Sequence, residues 1–577
     1  MADEESPAEA ASRKALDEVY ACLKAGQSFR LEAGAGAGKT YSLVKALQFL
    51  IGGNERTMPR KSQKIACITF TNVAKDEIVA RTDRSPILLC ETNHAFCWSL
   101  ISGFQRQLRE LIAEMPDWQE RIAEAGGLGE RIVEYNLGHR SIREDCVSLH
   151  HNDVLPLTIS LMSNLKFRRL MADRYPIILI DEYQDTDADW VKAIKAHFLG
   201  QPGSPVFGFF GDHWQKIYGN GCGTLEHPAV REIGKEANFR SVQTVVDCLN
   251  RMRPELPQFV DKPGDVGEVC IFHTNRWVGQ RQRGQHWGGG LPPDIGHEVL
   301  QRTLDELTEN GWNLSPDKTK ILMLTHRVLA DEQGYSSLPA VFRFNDAFTR
   351  KEHPHIAYFV DVLEPAIDAY ETRKFGSMFE ALGSKVPLLR SPAEKMAWAK
   401  SMEHLAVLRQ SGTVGDVIDH LRQTRRPLLP DAVDDRERDL KEFDKSAGEP
   451  MPDSLEELEK LRAVPYSEIM ALRKYHAGFS PFETKHGVKG AEFENVVVVV
   501  GRGWNLYNFG EMLELAGAAA IPAAKQEAFE RNRNLFYVAC SRPKRRLALL
   551  FTQELSQAAL STLGRWFQPE SIQAISF

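Results

Sequence analysis

"RLEAGAGAGKTYSLVKAL", residues 30–47, decides how the chain is read. From Ala33 to Thr40 it carries a small residue, four free positions, then Gly-Lys-Thr, which is the phosphate-cradling loop. The turn runs through Ala33, Gly34, Ala35, Gly36, Ala37 and Gly38, and its glycines let successive backbone N–H groups face an anion. Lys39 then sets a point charge on the β and γ oxygens, and the Thr40 hydroxyl ligates Mg²⁺. "FRL" before the loop reads as a strand. "YSLVKALQFL" after it reads as a helix whose positive end meets the phosphates. A triphosphate binds here, but kinases, switches, transporters and DNA motors all own such a loop.

The loop needs an acid on the metal side. "PIILIDEYQD" (176–185) supplies one about 140 residues downstream, as a buried strand ending in Asp181 and Glu182. Asp181 holds the Mg²⁺ through water, and Glu182 orients or deprotonates the attacking water. "PVFGFF" (205–210) runs into "GDHWQKIYG", so Asp212 and Gln215 sit at a strand's carboxyl end, where open α/β sheets bind ligands. Gln215 is placed to feel the γ-phosphate.

The wider pattern is α/β. "KIACITF" (64–70), "KILMLT" (320–325), "NVVVVV" (495–500) and "RLALLF" (546–551) join the two runs above as short apolar segments alternating with helical periodicity. Such runs suit parallel strands covered on both faces. They fall into two groups, roughly 28–245 and 265–345 plus 475–555, so two α/β domains are expected, with polar helical interruptions near 100–170 and 345–475. The 577 residues carry a net charge of −7, which excludes a basic coat for nucleic acid but permits a local basic channel. Nine scattered cysteines match no zinc spacing and read as reduced thiols. No run approaches the roughly 18 apolar residues of a membrane span, and the start, "MADEESPAEAASRK", lacks an apolar signal core. A cytoplasmic protein with no membrane partner is expected.

Eight segments in order resemble the motifs of UvrD/Rep-type superfamily 1 helicases. They are "AGAGAGKT", "ITFTNVAKDEI" (68–78), "ETNHAF" (91–96), "LIDEYQD" (179–185), "GDHWQKIY" (211–218), "NFRS" (238–241), "TKHGVKGAEF" (484–493) and "YVACSRPK" (537–544). The resemblance implies two RecA-like domains with ATP between them. Domain 1A would take residues 1–98 and 166–248, and 2A would take 249–345 and 476–577. Mainly helical insertions 1B (99–165) and a reduced 2B (346–475) would complete the chain. By motif match, Arg240 and Arg542 look like the arginines that reach the γ-phosphate, Arg542 arriving from the second domain. Phe239 takes the adenine-stacking position, and Glu492 the ribose-contacting one. On the DNA side, Thr71, Asn72 and His94 match positions on phosphate or sugar, and Phe70 and Tyr218 match aromatics near bases.

Three departures qualify the resemblance. Asn220 in "NGCG" stands where the family places a base-stacking aromatic, so Trp214 or an insertion residue is the candidate substitute. No adenine-recognising glutamine is evident in "SRKALDEVYACLKAGQ", and the 2B-like insertion is short. About 35 residues follow Arg542, too few for a fused nuclease domain, so DNA cutting is expected from a separate nuclease subunit. The compact size and reduced insertion are similar to the helicase-like subunit of Gabija anti-phage defence systems. The expected activity is an ATP- and Mg²⁺-dependent motor on single-stranded DNA, moving 3′ to 5′ by resemblance. A DNA-end-sensing ATPase with little unwinding of its own, a general DNA-repair helicase and a scaffold with a vestigial ATPase are the alternatives.

Overall fold

A computed structural model describes residues 5–135, 140–216, 219–284, 288–323, 334–343, 346–349, 351–383, 389–443, 451–476, 482–484, 492–501 and 507–577. The chain divides into two compact units. One comprises residues 1–269, 518–546 and 564–567, the other 270–517, 547–563 and 568–577.

The first unit is built on a six-stranded sheet. Its order is Leu88–Thr92, Ile65–Thr69, Ile177–Asp181, Val206–Gly211, Phe29–Ala33 and Arg231–Lys235. All five pairings are parallel. The strands Ile65–Thr69, Ile177–Asp181 and Val206–Gly211 are buried along almost all their length, which is why they read as continuous apolar runs. The equally buried Phe29–Ala33 instead alternates apolar residues with Arg30 and Glu32. Phe29 and Leu31 are fully buried, and each such side chain contributes about 1.5–3 kcal/mol relative to exposure. Gly208 is required inside the sheet, since a Cβ there would lie 2.6 Å from Leu179 and 2.7 Å from Phe29. Because every strand points the same way, Ala33, Thr69, Asp181, Gly211 and Lys235 all end at one edge. That edge carries the site.

A helix not anticipated from the sequence, Pro7–Ala25, opens the unit. Ser6 and Glu9 form a reciprocal capping box at its start, and Gly26 in the left-handed region closes it. The segment between the strands ending at Thr92 and beginning at Ile177 is mainly helical, as expected. It also holds a small sheet of Ile132–Tyr135, Cys146–Leu149 and Ser141–Ile142. Val133, Val147 and Leu149 bury there, in strands too short to stand out from the surrounding helical pattern.

The second unit has its own six-stranded sheet, ordered Phe482–Thr484, Thr319–Met323, Phe493–Val500, Pro543–Phe551, Glu268–His273 and Ile572–Ala574. The first three strands pair in parallel, as do the last two. Two such sheets flanked by helices give the α/β class expected. From Asp346 to His476 the described residues form only helices, among them Pro392–Ser411, Val414–Thr424 and Tyr466–His476. Trp398, Met402, Leu405, Ile418 and Tyr466 pack there in one core. The nine cysteines are all free thiols. Among the described residues no helix is long and apolar enough to cross a membrane.

Candidate nucleotide site

The phosphate loop leaves the strand Phe29–Ala33 and ends at Gly38, which caps the helix Lys39–Asn54. Gly36 and Gly38 adopt φ of +76° and +72°, a backbone that side chains disfavour. Its carbonyls are held from one side. Asn238 Nδ2 and Gln258 Nε2 both donate to Ala35 O at 3.1 Å. The Phe239 N–H donates to Gly36 O at 2.9 Å, and Lys235 Nζ to Gly38 O at 3.1 Å. In a trans peptide the C=O and N–H point in opposite directions. Carbonyls of Ala35 and Gly38 drawn toward residues 235–258 therefore turn the Gly36 and Lys39 N–H groups the other way, toward an anion. The Ala37 N–H closes the turn on Gly34 O at 3.2 Å. There is no room for larger residues behind the loop, because a Cβ on Gly34 would meet Gln258 at 2.7 Å and one on Gly36 would meet Asn238 and Arg240 at 2.8 Å.

Lys235 and Gln258 are buried parts of the site that the sequence did not single out. Lys235 also donates to Ser42 Oγ at 2.7 Å and lies 5.8 and 5.9 Å from the Tyr41 and Phe239 ring centroids. Burial lowers its pKa to about 8. A lone lysine at a strand end carries no sequence signal. Phe239 itself is 44% exposed beside Gly36.

Lys39 Nζ lies 2.9 Å from Glu182 Oε2. Burial works against the ammonium, but Glu182, Asp212 and Asp181 together outweigh it and raise its pKa. Asp181 is the last residue of its strand, and Glu182 follows in the left-handed region at φ 47°. That conformation is rare for a residue with a side chain and marks a held position. Gln184, fully buried, donates to Glu182 Oε2 at 2.6 Å and accepts the Asp212 N–H at 3.0 Å. Gln215 donates to Asp212 Oδ2 at 2.7 Å, and Arg542 Nη2 donates to Gln215 Oε1 at 3.4 Å. Arg240 and Arg542 converge on Ser541, through its carbonyl and its hydroxyl respectively, at 3.1 Å each. Arg542 is 1% exposed, and burial followed by the Arg240 charge pushes its pKa down to about 9. Two guanidiniums held together, that of Arg542 buried and that of Arg240 partly exposed, are suited to an anion of high charge. Thr40, at the start of its helix, and Asp181 offer the hydroxyl and carboxylate oxygens that Mg²⁺ takes.

A second network braces this one. Glu32, Asp212 and His213 converge closely enough to suggest a metal site, yet a guanidinium stands among them. Arg253 donates to Asp212 Oδ1 at 2.6 Å and to Glu32 Oε1 at 3.1 Å. Tyr183 OH donates to Glu32 Oε2 at 2.6 Å, and His213 Nδ1 lies 2.7 Å from Glu32 Oε1. Burial opposes ionisation of Glu32, but His213, Arg253 and Tyr183 hold its carboxyl well below the usual range. Arg253→Met should cost about 3–5 kcal/mol by leaving two buried carboxylates facing each other, read as a lower denaturant midpoint. Since the ordinary Glu value is 4.5, the Glu32 contribution is complete above that pH. It is lost as the pH falls toward the lower folded value.

Trp214 is buried in the same region. Arg533 lies 3.9 Å and Arg253 5.3 Å from its ring centroid, Tyr537 packs edge-on at 5.3 Å, and the ring is 6% exposed. A ring covered to that extent does not offer a base the stacking surface for which it was the candidate. The unusual "NGCG" is stitched to the acidic loop instead. Ala188 N donates to Asn220 O at 3.0 Å, Cys222 N to Thr186 O at 2.8 Å and Gly223 N to Gln184 O at 3.1 Å. Gly221 is obligatory, since a Cβ would lie 2.3 Å from Gln184 O.

Of the remaining expected residues, Phe70, Asn72 and His94 line one cleft with Asp181. Thr71 caps the helix Asn72–Arg81 through the Ala74 N–H at 3.2 Å. Glu492 is exposed in the second unit, just before the strand Phe493–Val500. Tyr218 and residues 485–491 of "TKHGVKGAEF" lie outside the described residues.

A family model described as an AAA domain matches residues 19–220. "Gabija protein GajB" of Bacillus cereus (strain HuB5-5) is 20% identical, over 94% of this chain and 96% of that protein. "ATP-dependent DNA helicase Rep" of Salmonella typhimurium is 25% identical, over 40% of this chain and 41% of that one. The Escherichia coli Rep is 24% identical, over 40% and 42%. Over these stretches the chain is similar to the UvrD/Rep-like superfamily 1 helicases. The matches support a P-loop ATPase of helicase type, related to both Rep and GajB.

Proposed function

We propose that the chain is an ATP- and Mg²⁺-dependent, DNA-stimulated ATPase that translocates on single-stranded DNA and separates strands 3′ to 5′. The observation that carries this reading is the convergence of Lys39, Glu182, Gln215, Arg240 and Arg542 around one phosphate loop. Phosphoryl transfer asks a protein for positioning and electrostatic stabilisation, and this set supplies both. Lys39 and the loop N–H groups bind the phosphates, and Thr40 and Asp181 hold the ion. A bound Mg²⁺ neutralises phosphate charge. Glu182 orients the attacking water and accepts its proton, with Gln184 fixing the carboxylate. Arg240 and Arg542 stabilise charge on the transferring group, and Gln215 connects that group to Arg542. Phe239 stacks on adenine, and Glu492 contacts the ribose.

On the DNA side, Phe70, Thr71, Asn72, His94 and Tyr218 contact single-stranded DNA. We keep the division into 1A, 1B, 2A and 2B given above as part of the proposal. The length of the match to the GajB protein supports work beside a separate nuclease subunit in anti-phage defence, in the cytoplasm, over a general repair role. The buried Trp214 and the stitched "NGCG" favour a second reading, a DNA-end sensor with little unwinding. Strand displacement by the isolated chain separates the two. A motor should open a 3′-tailed duplex and leave a 5′-tailed one closed. DNA-stimulated ATP turnover without displacement would establish the sensor, and opening from the 5′ tail would contradict the polarity.

A further inference from the structure

A cleft of about 830 Å³ opens in the first unit, at the carboxyl edge of its sheet. One side is aromatic. The His94 and His151 rings stack with centroids 3.5 Å apart at 22°, and the Tyr135 hydroxyl lies 2.7 Å from His151 Nδ1. Phe70, 48% exposed, lines the same cleft. His94 starts from the expected DNA-contacting segment, whereas His151 and Tyr135 come from the inserted segment, on the helix His151–Met162 and the strand Ile132–Tyr135. Burial and the neighbouring His151 lower the His94 pKa to about 4, and burial with His150 lowers that of His151. At neutral pH the pair therefore presents uncharged π-faces and no cation for a phosphate.

Asp185, Asp187 and Asp189 line the same cleft. Carboxylates repel a phosphodiester and accept hydrogen bonds from N–H groups. A flat, uncharged ring bearing amino hydrogens suits both the stack and the carboxylates.

We propose that this cleft receives one nucleobase of single-stranded DNA, seated by the His94–His151–Tyr135 stack and preferring bases with an exocyclic amine over thymine. The inference rests on the DNA-binding reading above and adds the ligand's chemistry and the residues that take it. Cytosine N4, adenine N6 and guanine N2 each offer amino hydrogens, whereas thymine flanks its single ring N–H with two carbonyls. The inserted segment thereby supplies the stacking surface that Asn220 and the buried Trp214 do not. Asp181 lines the cleft as well, so a seated base lies against the strand end that carries the metal-side acid.

The test is fluorescence anisotropy of the full chain with labelled oligo-dC and oligo-dT of equal length. The wild type should bind oligo-dC several-fold more tightly, against the usual advantage of flexible thymine runs. His151→Ala should weaken oligo-dC binding by roughly tenfold, the order of one lost stack, and His151→Phe should restore it. Asp189→Asn, at an exposed position, should bring the two oligonucleotides to similar affinity while keeping the binding. Equal affinities in the wild type, or a His151→Ala chain that binds as the wild type does, overturn the base pocket and leave the DNA-dependent ATPase standing. A wild type that binds neither oligonucleotide overturns both.

Discussion

Arg542→Ala should lower the turnover number for ATP by at least about 10³, with a much smaller change in apparent affinity for the nucleotide. A thousandfold loss is about 4 kcal/mol of transition-state stabilisation. The guanidinium is 1% exposed, 3.4 Å from Gln215 and beside Arg240, and a water left in its place would carry none of its positive charge. Arg542→Lys should recover little, because an ammonium cannot keep the contacts to Gln215, Val538 O and Ser541 Oγ together. Steady-state kinetics of the two variants, with thermal unfolding as a check on folding, measure the effect. A loss confined to KM would mean that Arg542 binds substrate without serving the transition state.

Lys39→Ala should reduce ATP turnover on the order of 10²–10³-fold and weaken nucleotide binding as well. On the proposed reading Lys39 differs from Arg542 in acting on the bound phosphates throughout, so both parameters should move. Its ammonium sits among Glu182, Asp212 and Asp181, and its removal leaves that carboxylate group without the charge that balances it. Single-turnover hydrolysis with nucleotide titration separates the two losses. Turnover within a few-fold of the wild type would contradict the assignment of this loop as the working phosphate site.

The residues that were legible in the sequence share a physical trait. Asp181, Glu182 and Gln215 follow buried parallel strands that print as uninterrupted apolar runs with their chemistry at the carboxyl end. The loop, which follows the charged strand Phe29–Ala33, is legible from its own glycines and Lys39. Arg240 and Arg542 were found through the order of motifs, since nothing local distinguishes either from a surface arginine. What escaped is held by long-range packing. Gln258 and Lys235 reach the loop from more than 190 residues away, and Arg253 meets Glu32 across 221 residues. Each is one polar residue in an ordinary stretch, and its role exists only once the sheet has formed. Trp214 misled for the same reason: an aromatic next to a motif is silent about which cations will close over it. His151 and Tyr135 were likewise invisible, because the insertion that carries them reads only as helical and polar.

ATP turnover by the isolated chain, with and without single-stranded DNA, tests the central claim most directly. The account predicts a low basal rate that rises steeply with DNA and depends on Lys39. A rate that stays flat across single-stranded, tailed and duplex DNA would contradict it.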